Sequence, residues 1–133
     1  MFVRLLAILA FTVVLTGAEQ AAVTTKTLDW GSIVSPEAAA VGDQVEIVVT
    51  LSEAERAKGG ILRIDPHWYK GRDRGGVAGS VGKQTINANQ ETYTFNWTIP
   101  AKDGITAISL VTYLGDGSWS GKRVTGTGRI VVK

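Results

Sequence analysis

Two runs in this chain alternate apolar and polar residues so strictly that only β-strands with one buried face accommodate them. Tyr93, Phe95, Trp97 and Ile99 alternate with Thr94, Asn96 and Thr98 until Pro100 ends the run, and Val45, Ile47, Val49 and Leu51 share one parity of residues 45–51. Successive side chains of a strand point to opposite faces, so each run delivers one apolar face to a core. Three aromatic rings on a single face make residues 93–99 a main contributor to that core. Nothing longer than a few residues carries a helical period, and an all-β fold is expected.

The intervening segments extend the pattern. Residues 19–26 read as a polar lead without regular structure, and residues 27–34 as a first strand carrying Trp30, closed by Ser35-Pro36. Val41-Gly42-Asp43-Gln44 turns the chain into the run at 45–51, after which Ser52-Glu53-Ala54-Glu55 has the spacing of a capping box and predicts one helical turn. Gly59-Gly60 opens a strand over residues 61–69. Asp65-Pro66 is expected to interrupt it, placing it at an edge or bulging it, because proline lacks the donor a central ladder needs. The glycine-rich stretch 71–82 is the longest loop candidate. Residues 105–114 are apolar at both parities, as in a central strand, then Gly115-Asp116-Gly117 reverses the chain into a last strand over residues 124–132. About seven strands with regularly spaced turns predict a sandwich.

The turn chemistry resembles that of the immunoglobulin-like and fibronectin type III-like sandwiches of exported bacterial proteins. The residues that carry the resemblance are Ser35-Pro36 with Val41-Gly42-Asp43 entering an alternating strand, and Ile99-Pro100-Ala101-Lys102-Asp103-Gly104 entering a central strand that ends in Tyr113-Leu114. It implies an immunoglobulin-like antiparallel β-sandwich and covers nearly all of residues 19–133. The chain departs from antibody-type domains in having no cysteine, and no tyrosine follows Asp103-Gly104 where a tyrosine corner would place one. A likeness of this kind implies a fold and no activity, since such sandwiches serve adhesion, carbohydrate binding and spacing alike.

Residues 1–18 read as a signal peptide. Arg4 supplies the positive n-region, residues 5–15 the apolar stretch, and Thr16-Gly17-Ala18 a small-residue site cleavable before Glu19. The apolar stretch is shorter than the roughly 20 residues that cross a bilayer, and Ala18 stands where a lipoprotein signal would need cysteine. The expected product is a secreted domain over residues 19–133, extracellular or periplasmic, touching a membrane only transiently through its signal peptide. Without cysteine, its stability must come from packing and hydrogen bonds.

Charge is nearly balanced, with 14 Lys and Arg against 12 Asp and Glu, which argues against nucleic acid as a partner. It is unevenly distributed: residues 19–55 hold seven acids against Lys26 alone, and residues 56–83 hold seven bases against Asp65 and Asp73. Pairing of the two stretches within one fold is the expectation. One histidine, His67, and no cysteine leave no recognisable metal or cofactor site, and no serine lies in a nucleophile-elbow context that His67 and Asp65 would serve, so no enzyme is expected.

Binding has more support. His67-Trp68-Tyr69-Lys70-Gly71-Arg72-Asp73-Arg74 places two aromatics beside three bases. Neighbouring strand residues face opposite ways, so at least one of Trp68 and Tyr69 is expected to be exposed. An exposed ring stacks on sugars, while Lys70, Arg72 and Arg74 suit anionic groups. Trp119, at the tip of the last hairpin, is a further candidate; one site using it together with residues 68–74 requires a surface running along the sheet. The alternative is that Trp68 belongs to the core. These residues predict a non-catalytic binding or adhesion module for an extracellular glycan, the alternative being a structural or protein-interaction domain that pairs through an exposed strand edge.

Overall fold

A computed structural model describes residues 22–133; the expected signal peptide, residues 1–18, lies outside them. The chain is an all-β sandwich of two sheets. The strands are β1 (Val23–Leu28), β2 (Gly31–Pro36), β3 (Ala38–Ala39), β4 (Gln44–Leu51), β5 (Ile61–Lys70), β6 (Asp73–Val77), β7 (Gly82–Thr85), β8 (Thr92–Thr98), β9 (Ala107–Gly115) and β10 (Lys122–Val132), with one short helix, α1 (Glu53–Lys58). One sheet has the order β1-β2-β4-β8; the other runs β3-β10-β9-β5-β6, with β7 also on β5. All pairings are antiparallel except β3 with β10.

The alternating runs do what their period demands. Val45, Ile47, Val49 and Leu51 of β4 and Tyr93 and Phe95 of β8 are buried against Leu62, Ile64, Ile108, Leu110, Leu114 and Ile130 of the facing sheet. The Tyr93 hydroxyl, deep in this layer, accepts from the Asn87 amide at 2.9 Å and donates to the Asn87 carbonyl at 3.2 Å. At Gly126 of β10 a methyl group would stand 2.4 Å from Leu28 and 3.0 Å from Trp30, so only glycine lets these side chains close on the strand. Trp30 is thereby buried, and its indole donates to the Thr125 carbonyl at 3.2 Å. The helical turn forms with half of the capping box: Ser52 Oγ accepts from the Glu55 amide and starts α1, while the Ser52 amide donates to the Trp30 carbonyl and the Glu55 carboxylate turns to Lys58 and Arg123.

Four sequence expectations need correction. Residues 27–34 are not one strand but the turn of a hairpin, with Asp29-Trp30 joining β1 to β2, and β1 takes up much of the segment read as a polar lead. Ten strands replace about seven, because short segments pair at the sheet margins. The glycine-rich stretch 71–82 is no long loop: Gly71-Arg72 is a tight turn and β6 follows it.

The fourth concerns Pro66, which neither interrupts β5 nor puts it at an edge, for β9 pairs it on one side and β6 and β7 on the other; of the expected bulge there is a register shift in the β5–β6 pair just after it, between His67 and Tyr69. The N and C=O of a strand residue point to the same side, and the Pro66 carbonyl accepts from the Ala78 amide at 2.8 Å. Its missing donor therefore faces the gap between β6 and β7, where no ladder partner is required.

Candidate functional site

Register places one set of side chains on the outer face of the six-stranded sheet. Opposed residues of an antiparallel pair share a face. Arg63 of β5 lies opposite Tyr113 of β9, Asp65 opposite Val111, and His67 opposite Ser109. On β10, Thr125, Thr127 and Arg129 continue these rows, and on the other side Lys83 of β7 lies opposite Arg63, Val77 of β6 opposite His67 and Arg74 opposite Tyr69.

A depression of about 440 Å³ lies on this face, lined by Asp65, His67, Arg74, Val77, Val111 and Trp119. Tyr113 supports one end. It points outward yet is buried, because the Trp119 ring meets it edge-on at 5.4 Å and the Arg63 guanidinium lies 5.8 Å from its centroid. Its hydroxyl donates to Asp65 Oδ2 at 2.8 Å, and Arg63 Nε donates to Asp65 Oδ1 at 2.9 Å. Burial, followed by the hydrogen bond to Asp65, pushes the Tyr113 hydroxyl up to about 12.

The loop between β9 and β10 is tied down from both sides. Arg63 Nη1 donates to the Gly117 carbonyl at 3.0 Å, and Asp116 Oδ1 accepts from the Ser118 amide at 2.8 Å and from its hydroxyl at 2.6 Å. Trp119, carried by this loop, is 54% exposed. The Lys122 ammonium stands 3.7 Å from its ring centroid, a cation–π contact, and donates to the Trp119 carbonyl. At the other end Arg74 Nη2 lies 3.0 Å from His67 Nδ1. Guanidinium is only a donor, so Nδ1 accepts and the proton of the neutral ring is on Nε2. Burial, and then the Arg74 charge, hold the His67 pKa below its ordinary value, with Asp65 opposing.

Of the residues the sequence nominated, Arg74 and Trp119 line this depression together. Tyr69 lies beside it on the same face. Trp68, Lys70 and Arg72 do not join them. Trp68 points to the opposite face and packs against the core, its ring lying directly over Gly75 of β6 with Lys102 Nζ 4.5 Å and Lys70 Nζ 5.5 Å from the centroid. Lys70 and Arg72 are exposed at the far turn of the β5–β6 hairpin. Trp68 and Tyr69 do face opposite ways, but both are half-buried and neither ring is exposed, because the hairpin folds β6 back beside them.

The sequence offers Asp65 and His67 only as catalytic partners. Here the carboxylate is turned to Arg63 and Tyr113, and the imidazole to Arg74. The sequence does not single out Val77, Val111 or Tyr113 as site residues: β9 is apolar at both parities, and only pairing with β5 reveals which residues face outward. The expected matching of the acidic and basic stretches is largely absent among the described residues. Glu55 alone of the acidic stretch forms ion pairs, with Lys58 and Arg123. Among the described residues no three His, Cys, Asp or Glu side chains stand together as a metal site. No family model matches this chain, and no curated protein or solved structure matches it either.

Proposed function

We propose that this protein is an exported, non-catalytic binding module with an immunoglobulin-like sandwich, and that its ligand is a saccharide laid along the outer face of the six-stranded sheet. The exposed Trp119 ring beside a depression that also holds Arg74 carries this reading. A flat indole at the lip of a largely apolar hollow stacks on the CH face of a pyranose, while a nearby guanidinium fixes its orientation. The ring is held in place by Tyr113, so little ordering entropy opposes binding.

The strand order supports the immunoglobulin-like assignment. β2-β4-β8 and β10-β9-β5 correspond to the A-B-E and G-F-C strands of that topology, and β6 and β7 occupy the position of an added strand beside C. Export rests on residues 1–18 as a signal. Among the described residues no helix is long and apolar enough to cross a membrane.

The test is titration of the purified domain with neutral and acidic oligosaccharides, read by tryptophan fluorescence. Binding that disappears in Trp119→Ala and survives in Trp68→Ala is expected. Silence across the panel from folded protein refutes the saccharide reading. It favours instead a protein-interaction domain, for which the observation is the edge strand β1, paired with β2 on one side only and exposed along nearly its whole length.

A further inference from the structure

We infer that the saccharide bound in this depression carries a carboxylate, as a uronic acid does; the inference rests on the saccharide reading above and specifies its chemical class. Most hydrogen-bonding groups left free around the hollow are donors. Asp65 is the only carboxylate in its lining, and each oxygen already accepts a hydrogen bond, one from Arg63 Nε and the other from the Tyr113 hydroxyl. His67 has spent its one acceptor nitrogen on Arg74 and presents Nε2–H. Arg74 gives one N–H to that contact and has the rest of its fork free. The polar side chains at this end therefore offer donors to a ligand and have few acceptors left.

Charge on the surrounding face points the same way. Among the described residues of its strands, Arg63, Arg74, Lys83 and Arg129 project from this face against Asp65, which is paired with Arg63; Asp116, held by Ser118, stands in the loop that carries Trp119. Among the described residues no ion pair engages Arg74, Lys83 or Arg129. Arg129 stands two strands from His67, through Ser109, or about 10 Å at the usual strand spacing. Lys122 adds a cation at the Trp119 ring. A neutral sugar accepts hydrogen bonds through its hydroxyl and ring oxygens but leaves the positive charge of this face unanswered. A carboxylate presents acceptors only, and its two oxygens match a guanidinium edge.

The experiment compares oligogalacturonate, oligoglucuronate and oligomannuronate with their methyl esters, each ester keeping the shape of its chain while removing the charge. At low salt at least one acid form is expected to bind about tenfold or more tightly than its ester. Arg74→Gln should abolish that preference, weakening the acid form far more than its ester, and 0.5 M salt should narrow it. Trp119→Ala should remove binding of both forms. Equal affinity for acid and ester, or a preference undiminished in Arg74→Gln, overturns the carboxylate inference while leaving the saccharide reading intact. Binding of a sulfated glycan in place of all three acids overturns it too. Failure of acids, esters and neutral oligosaccharides alike, from protein shown to be folded by circular dichroism, removes both.

Discussion

Gly75→Ala separates the two tryptophans that the sequence nominated for one site. Gly75 has no positive φ, so alanine meets no backbone strain there. What it meets is Trp68: a methyl group at this position would lie 2.1 Å from ring carbons Cη2 and Cζ3, where ordinary contact begins at 3.4 Å. The indole must withdraw by more than about an ångström, losing its packing on β6 and part of its contact with the core. Overpacking of this kind costs about 1–3 kcal/mol. With a urea m-value near 1–3 kcal/mol/M, a loss of about 2 kcal/mol lowers the unfolding midpoint by roughly 1 M. The control is the same change in a Trp68→Ala background. There the obstruction is gone, and Gly75→Ala should be neutral or stabilising by about 0.5 kcal/mol through reduced unfolded-state entropy. Saccharide binding at Trp119 should persist in folded Gly75→Ala protein, since Trp68 points away from the depression. An equal penalty in both backgrounds would refute the steric argument, and loss of binding without loss of fold would return Trp68 to the site.

The remaining predictions concern charge. Removing the Glu55 carboxylate, 8% exposed and 2.8 Å from Arg123 Nε, should destabilise the fold by about 1–3 kcal/mol, less than a fully buried pair because Arg123 keeps the Glu55 and Gly59 carbonyls; chemical denaturation of Glu55→Ala measures this. Burial pushes the Glu55 carboxyl up, but the hydrogen bonds from Arg123 and Lys58 outweigh it and hold the group below its ordinary value of 4.5. Its contribution is therefore present above about pH 4.5 and lost as pH falls through the lowered folded value, so Glu55→Gln should flatten the acid limb of a stability profile. His67 has the opposite charge type. Its pKa is lowered from 6.5, first by burial and then by Arg74, so the unfolded chain takes the proton more readily. Stability should be complete above about pH 6.5 and decline as pH falls from there toward the folded value, with a shallower decline in His67→Gln by thermal melts at fixed ionic strength.

What the sequence revealed and what it hid divide along the reach of the interactions involved. β4 and β8 were legible because their information is local: a period of two on one strand suffices to say which residues are buried. The helical turn at Ser52 was legible for the same reason, its cap and the amide that donates to it lying three residues apart. Pro66 misled because a missing donor destabilises a ladder only if a partner stands opposite it, and β5 happens to have a gap between β6 and β7 at that point. The candidate face lay further out of reach. Asp65 and His67 were visible as a pair on one strand face, but their partners are Tyr113, forty-eight residues on in the chain, and Arg74, which turns back across a hairpin. Trp119 sits at the opposite end of β5 from the Gly71 turn and reaches the same hollow because Tyr113 and Gly117 draw its loop back over the sheet. Local patterning thus gave the faces of individual strands, whereas the site is a product of register: it exists because Asp65 was paired with Val111 and His67 with Val77 and Ser109. A one-residue slip of β5 against β9 would turn Asp65 and His67 inward, place two ionisable groups in the core, and abolish fold and hollow together. The core alternation that makes the fold legible is therefore also what holds the donors of the outer face in one row.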